Sequence, residues 1–134
     1  MLRVLIVEDS PDRQRKLLSL FDGTRCTVVD SAEAAIRRLR EEVFDIVTLD
    51  YDLAGEAKGH DVAKTLPGES GELLVLVHSE NPVGVERIRA SWPECYPLAI
   101  SRIHRGEPAY SQLKAALSSG SLAVSMRVAR EVLG

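Results

Sequence analysis

Three short apolar runs, each followed by charged or polar residues, constrain the fold of this chain most strongly. They occupy residues 2–7, 44–49 and 73–77 and are rich in β-branched side chains. A run without clear polar alternation is typical of a strand covered on both faces, as in a parallel sheet. Because helical patterns separate the runs, we predict an α/β fold with a doubly wound five-stranded parallel sheet.

The remaining elements follow from helix caps and apolar spacing. Ser10-Pro11 and Ser31 are N-terminal cap signals, and Asn81 precedes Pro82 in the same way. The predicted strands are 2–7, 26–29, 44–49, 73–77 and 98–100, and the predicted helices are 12–21, 32–40, 61–66, 82–90 and 109–117.

A sixth helix is predicted over residues 122–133. It carries one apolar stripe of Leu122, Met126, Ala129 and Leu133 and a second of Val124, Val128 and Val132. Such a wide apolar face is typical of a helix packed on its own domain or on a partner. We therefore divide the chain into a domain at 1–118 and an additional C-terminal helix at 119–134.

Composition narrows the class of protein. The chain has 134 residues, 45% of them hydrophobic, which is enough for one domain with its own core. Its net charge of −3 gives no basic footprint, so we expect no DNA binding. Cys26 and Cys95 suggest neither a disulfide framework nor a zinc site. No apolar run is long enough for a membrane span, and we expect a cytoplasmic protein without membrane contact.

The acids at the strand ends are the candidate site. Glu8 and Asp9 end the first strand, Asp50 ends the third, and His78 and Ser79 end the fourth. Ligands of open parallel sheets bind at the carboxyl ends of the strands. Clustered carboxylates repel one another unless a hard cation neutralises them, so the pattern predicts bound Mg²⁺ or Mn²⁺.

The segments V-L-I-V-E-D-S-P, F-D-I-V-T-L-D and L-L-V-L-V-H-S resemble the receiver domain of bacterial response regulators over roughly residues 2–118. The resemblance implies that Asp9 and Asp50 hold the metal ion and that Asp50 accepts the phosphoryl group. It also implies an outer role for Glu8 and a further metal ligand from the backbone carbonyl of Asp52. A histidine kinase or another signalling protein would be the partner.

Several positions depart from the receiver pattern. Ala54 replaces the usual proline, and Ile100-Ser101-Arg102 contains no lysine where the fifth strand is expected to end. Arg102 or Arg105 would have to replace that lysine. At the end of the fourth strand, either His78 or Ser79 could occupy the position of the usual hydroxyl residue, and the sequence leaves both registers open.

The segments T-L-D-Y-D-L, K-G-H-D-V-A-K and V-H-S-E-N-P-V-G resemble a divergent branch, the cyclic-phosphate-processing receiver domains. This resemblance implies that His78, Ser79 and Asn81 lie beside Asp50 and that the site acts on a cyclic phosphate or phosphodiester. A histidine near a metal-bound water is suited to general acid–base catalysis. His60 and His104 are more typical of solvated surface.

Three hypotheses follow for function. The first is a stand-alone atypical receiver that binds Mg²⁺ and a phosphoryl group at Asp50 in phosphorelay-type signalling. The second is a metal-dependent phosphoesterase in which His78 relays a proton and Asn81 or Arg102 stabilises negative charge, with a phosphate-containing small ligand as substrate. The third is a pseudo-receiver that only binds partners. We also expect the first strand to separate the third strand from the fourth, so that His78 leans across the first-strand acids.

Overall fold

A five-stranded parallel sheet forms the centre of the protein in the computed structural model, which describes residues 1–68 and 71–134. Its spatial order is β2-β1-β3-β4-β5. The strands are β1 (Arg3–Val7), β2 (Arg25–Val29), β3 (Ile46–Leu49), β4 (Leu74–Val77) and β5 (Cys95–Pro97). The predicted doubly wound α/β architecture is confirmed.

Within the described residues, six α-helices connect and cover the strands. They are α1 (Pro11–Leu20), α2 (Ala32–Glu41), α3 (Gly59–Ala63), α4 (Pro82–Ser91), α5 (Pro108–Ser118) and α6 (Leu122–Leu133). The predicted caps are present, because the side chains of Ser10, Ser31 and Asn81 each accept a backbone N–H from the first turn of the following helix. The cap residues therefore fix where α1, α2 and α4 begin.

Two expectations about the sheet are wrong. The fifth strand is not at 98–100, because β4 pairs with Cys95–Pro97, and Ile100–Arg102 forms a 3₁₀ helix. Leu98 and Ile100 are buried beyond the last paired residue, where Leu98 still donates its backbone N–H to the Val77 carbonyl at 2.7 Å and Ile100 lies in the 3₁₀ helix. β4 also lies directly beside β3, not across β1 from it.

Successive side chains along each strand point to opposite faces of the sheet, so the core has two parts, one on each face. Odd-numbered residues of the central strands, such as Leu5 and Val47, pack with α2, α3 and α4. Even-numbered residues, such as Ile6, Ile46 and Leu76, pack with α1, α5 and α6. Any even-numbered residue that continues these strands therefore faces the layer of α1 and α5.

Helix α6 packs on this second layer. Ala129 is fully buried in the core, and Leu122, Met126 and Leu133 pack against it. The Ser125 hydroxyl lies 2.8 Å from the Ser121 carbonyl of its own helix and 3.2 Å from the Ala116 carbonyl of α5. The first stripe thus packs within the chain, whereas the domain division at residue 118 stays a prediction. No helix in the described ranges is long and apolar enough to cross a membrane.

We expect Ala129→Glu to lower the free energy of unfolding by about 2–4 kcal/mol, because it buries a carboxylate without a partner. Ala123→Glu, on the exposed side of α6, is the matched control and should change it by less than about 0.5 kcal/mol. Urea denaturation measures both. Equal stability of the two variants would contradict the packing of α6 against the core.

Candidate functional site

The three central strands each continue, one residue past their last paired position, into a buried polar residue on the same face. These residues are Glu8, Asp50 and His78, which are 0%, 2% and 1% exposed. Their backbone amides still donate across the sheet, at 3.0 to 3.1 Å, to carbonyls of the neighbouring strands. Because all three have even numbers, their side chains point into the layer of α1 and α5. Their ligand atoms lie within 4.8 Å of one another.

His78 links this cluster to the sheet below it. Its Nδ1 lies 2.6 Å from Thr48 Oγ1, and its Nε2 lies 3.2 Å from Glu8 Oε1. The second contact has the length of an ion pair without the alignment of a hydrogen bond. Glu8 Oε2 also accepts the Ser10 backbone N–H at 3.0 Å. Thus His78 and the start of α1 hold the Glu8 carboxylate in one orientation.

Three buried atoms of the cluster lack a well-aligned hydrogen-bond partner among the described residues. They are Glu8 Oε1, Asp50 Oδ2 and His78 Nε2. Buried polar atoms are nearly always satisfied in native proteins, and exceptions frequently mark a ligand or ion. The two carboxylate oxygens are donors that Mg²⁺ or Mn²⁺ prefers, so the residues present fit a hard divalent cation.

The carboxylates of the site differ in the direction of their pKa shifts. Burial raises the pKa of Glu8, but the contact with His78 and the Ser10 amide outweigh it and hold the pKa well below its usual value. Burial, followed by the charge of Glu8, raises the pKa of Asp50, although His78, the Asp52 amide and Arg13 oppose this. Burial and Glu8 likewise raise the pKa of Asp9. Burial and the charge of Glu8 thus disfavour the ionised forms of Asp50 and Asp9, which a bound cation would stabilise.

Asp9 and Asp52 form the outer rim of the site. Asp9 Oδ2 accepts the Ala54 backbone N–H at 3.1 Å, which ties the end of β1 to the loop after β3. The Asp52 side chain is exposed, and its backbone N–H lies 3.3 Å from Asp50 Oδ1. Both carboxylates thus lie on segments that contact Asp50 or its loop.

The end of β4 contributes Asn81 and Ser79. Asn81 Oδ1 accepts backbone N–H groups of α4, and its Nδ2 lies 3.4 Å from Asp52 Oδ2. Ser79 Oγ accepts the Asn81 N–H at 3.1 Å. The sheet register pairs Leu49 with Val77, which places His78 directly beside Asp50 and Ser79 one residue beyond. His78 therefore lies beside the candidate phosphoacceptor, and which of His78 and Ser79 takes the role of the hydroxyl residue stays a prediction.

Other predicted candidates have different surroundings. Arg102 Nη2 donates to Glu107 Oε1 at 3.0 Å, and no ion pair joins it to the strand-end acids in the described part of the chain. Arg105 lies near Tyr110 on the α5 side. The His60 ring stacks on Tyr51 with a centroid distance of 5.4 Å. His104 is exposed.

Two residues at the site were not predicted. Thr48 is a polar residue inside a buried strand, a signal that was present in F-D-I-V-T-L-D. Arg13 of α1 places Nη1 3.6 Å from Asp50 Oδ2 and 3.9 Å from Glu8 Oε1. Its position could be found only after the even-numbered face was known to lie under α1.

Comparison with known proteins gives one family. The sequence profile described as "Cyclic-phosphate processing Receiver domain" matches residues 3–92, more than half of the chain. None of the curated proteins matches this sequence.

Solved structures share the fold at low sequence identity. Response regulator TrrA from Thermotoga maritima, in complex with Mg²⁺-BeF, is 18% identical with a TM-score of 0.62, covering 74% of this chain and 86% of that one. The Mn²⁺-bound response regulator Rcp1 is 19% identical with a TM-score of 0.60, covering 89% and 91%. A sensor protein from Polaromonas sp. JS666 is 21% identical with a TM-score of 0.62, covering 98% of each chain.

We expect Asp50→Asn to raise the melting temperature at pH 7 in the presence of a chelator. The pKa of Asp50 is raised in the folded protein, so the folded state binds more protons than the unfolded state, and the charged carboxylate destabilises the fold above that pKa. The gain should disappear below pH about 4, where the group is protonated in both states.

Asp12→Asn, at an exposed position of α1, is the control and should show no such pH-dependent gain. Scanning calorimetry in about six buffers between pH 3 and pH 8 measures the difference in melting temperature between each variant and the wild type. A less stable Asp50→Asn protein at pH 7 would contradict a raised pKa of Asp50 in the folded protein.

Proposed function

Because this chain belongs to the family of cyclic-phosphate processing receiver domains, we propose that it is an atypical receiver that binds Mg²⁺ and a phosphoryl group at Asp50. The observation that carries the proposal is the buried Asp50 carboxylate, whose Oδ2 has no aligned partner beside Glu8 and His78. Its role would be in phosphorelay-type signalling in the cytoplasm, with a histidine kinase or another signalling protein as partner.

Asp9 and Asp50 are the proposed direct carboxylate ligands of the cation, with Glu8 and Asp52 completing the acidic site. Mn²⁺ favours the same oxygen donors as Mg²⁺ and would bind there too. When bound, the cation neutralises the carboxylates and withdraws charge from a phosphoryl oxygen. Solved relatives in fold contain Mn²⁺ or Mg²⁺ with a beryllium fluoride group, which supports the choice of metal.

The group transfer itself needs one nucleophile from the chain. A carboxylate oxygen of Asp50 forms a bond to phosphorus, and the bond from phosphorus to the donor atom breaks with its electron pair on the leaving group. The donor atom is a nitrogen in a kinase phosphohistidine and an oxygen in acetyl phosphate. Water reverses the modification by attacking phosphorus, which regenerates the carboxylate and releases orthophosphate. Glu8 stays charged through these steps, because His78 and the Ser10 amide stabilise its ionised form.

Isothermal titration with Mg²⁺ should give one binding event for the wild-type chain, and Asp9→Asn combined with Asp50→Asn should abolish it. The affinity should fall as the pH is lowered, because protons compete for carboxylates whose pKa values are raised. Asp12→Asn is again the control and should bind as the wild type does. Unchanged affinity in the double variant would exclude the proposed site.

Acetyl phosphate with Mg²⁺ tests the phosphoryl acceptor. Intact mass spectrometry should detect the wild-type chain with one added phosphoryl group, and Asp50→Asn should remain unmodified. Modification of Asp50→Asn to the wild-type extent would place the acceptor elsewhere. An unmodified wild-type chain would remove phosphoryl acceptance from the proposal.

A second candidate function is metal-dependent processing of a cyclic phosphate or phosphodiester. It is favoured by the family description and by the presence of His78, not a hydroxyl residue, directly beside Asp50. Since the His78 side chain has no exposed surface, it would act on the site through the Glu8 carboxylate, 3.2 Å away, while Asn81 lies at the rim.

Turnover of cyclic dinucleotides and 2′,3′-cyclic nucleotides with Mg²⁺ tests this alternative. Wild-type turnover that is lost in His78→Gln, with the melting temperature within a few degrees of wild type, would support it. Absence of turnover together with phosphorylation of Asp50 would leave the receiver function alone. A chain that binds neither metal nor phosphoryl group would be a pseudo-receiver.

A further inference from the structure

Arg13 is the cationic side chain that contacts the buried acids. Its Nη1 lies 3.6 Å from Asp50 Oδ2 and 3.9 Å from Glu8 Oε1, the two carboxylate oxygens that lack aligned hydrogen-bond partners. Within residues 1–68 and 71–134, no other arginine or lysine nitrogen lies within 4.0 Å of the Asp50 carboxylate. Burial raises the pKa of Asp50, and this guanidinium is one of the groups that lower it.

The backbone of Arg13 is fixed, whereas its side chain can move. The residue lies in the first turn of α1, where its backbone N–H contacts the Ser10 cap and Pro11 begins the helix. Its side chain is 42% exposed, although Asp50 is only 2% exposed. The guanidinium can therefore change partner near the site without disturbing the core.

Resting on the proposed function, we propose that Arg13 exchanges partners during the reaction: it neutralises Asp50 in the resting protein and binds a phosphoryl oxygen once Asp50 is modified. When a carboxylate oxygen bonds to phosphorus and the donor leaves with its electron pair, the charge of the Asp50 carboxylate is lost. Negative charge then resides on the phosphoryl oxygens farther from the backbone. An arginine is suited to follow it, because its planar guanidinium binds phosphate oxygens in pairs.

The same geometry makes Arg13 a competitor of the metal ion. Asp50 Oδ2, which the guanidinium contacts, belongs to a carboxylate that the proposed cation site would use. A cation that binds there must displace Arg13, whereas a phosphoryl group gives Arg13 a new partner. Arg13 therefore opposes metal binding in the resting protein and favours the phosphorylated state.

Two measurements on one variant test this role, because the affinity for Mg²⁺ and the phosphorylated fraction should change in opposite directions. We expect Arg13→Gln to tighten Mg²⁺ binding, titrated in the absence of phosphodonor, by about three- to tenfold, because a competing charge is removed. The same variant should lose about fivefold or more of the phosphorylated fraction reached with acetyl phosphate and Mg²⁺, read by intact mass. A loss of folded protein would lower both quantities and cannot produce this pattern.

Arg15→Gln is the matched control, since Arg15 lies on the same helix, is 70% exposed and pairs with Asp12. It should equal the wild type in both measurements. Weaker Mg²⁺ binding in Arg13→Gln, or a phosphorylated fraction equal to that of the wild type, would overturn the proposed exchange. A wild-type chain that accepts no phosphoryl group would instead overturn the proposed function together with the anion-binding half of this inference.

Discussion

The contact between Glu8 and His78 is the interaction on which the site depends. Glu8 is fully buried, and an ionised carboxylate in that position is costly unless it is paired. His78 provides the partner from β4, and Thr48 holds the other ring nitrogen at 2.6 Å. This arrangement keeps Glu8 charged, and burial together with that charge raises the pKa of Asp50.

The sheet topology makes this arrangement necessary. β1, β3 and β4 are neighbours in register, and each ends one residue before a polar side chain of the same parity. Two acids and an imidazole are thereby delivered to one side of the sheet, under α1. An odd-numbered residue at the end of these strands would point to the layer of α2, α3 and α4. The chemistry of the site therefore depends on the length of each strand as well as on the residue that follows it.

The fold and the acids were predictable because their signals are local. Buried β-branched runs, cap residues such as Ser10 and Asn81, and acids after the strands can each be read within a few residues of sequence. The position of β5 could not be predicted, because the apolar residues Leu98 and Ile100 are buried beyond the end of the strand, where Leu98 adds only a hydrogen bond to the Val77 carbonyl. Arg13 was missed for a related reason: its contact with Asp50 depends on which helix covers the even-numbered face. Arg102, one of the two arginines predicted to replace the missing lysine, is paired with Glu107.

The central claim is that a divalent cation occupies the oxygen cluster around Asp50. Anomalous diffraction from a crystal soaked in Mn²⁺ tests it directly. The account predicts a single strong peak about 2 Å from a carboxylate oxygen of Asp50 and from one of Asp9, with Glu8 still in contact with His78. Absence of the peak, or a peak bound only to exposed surface acids, would contradict it.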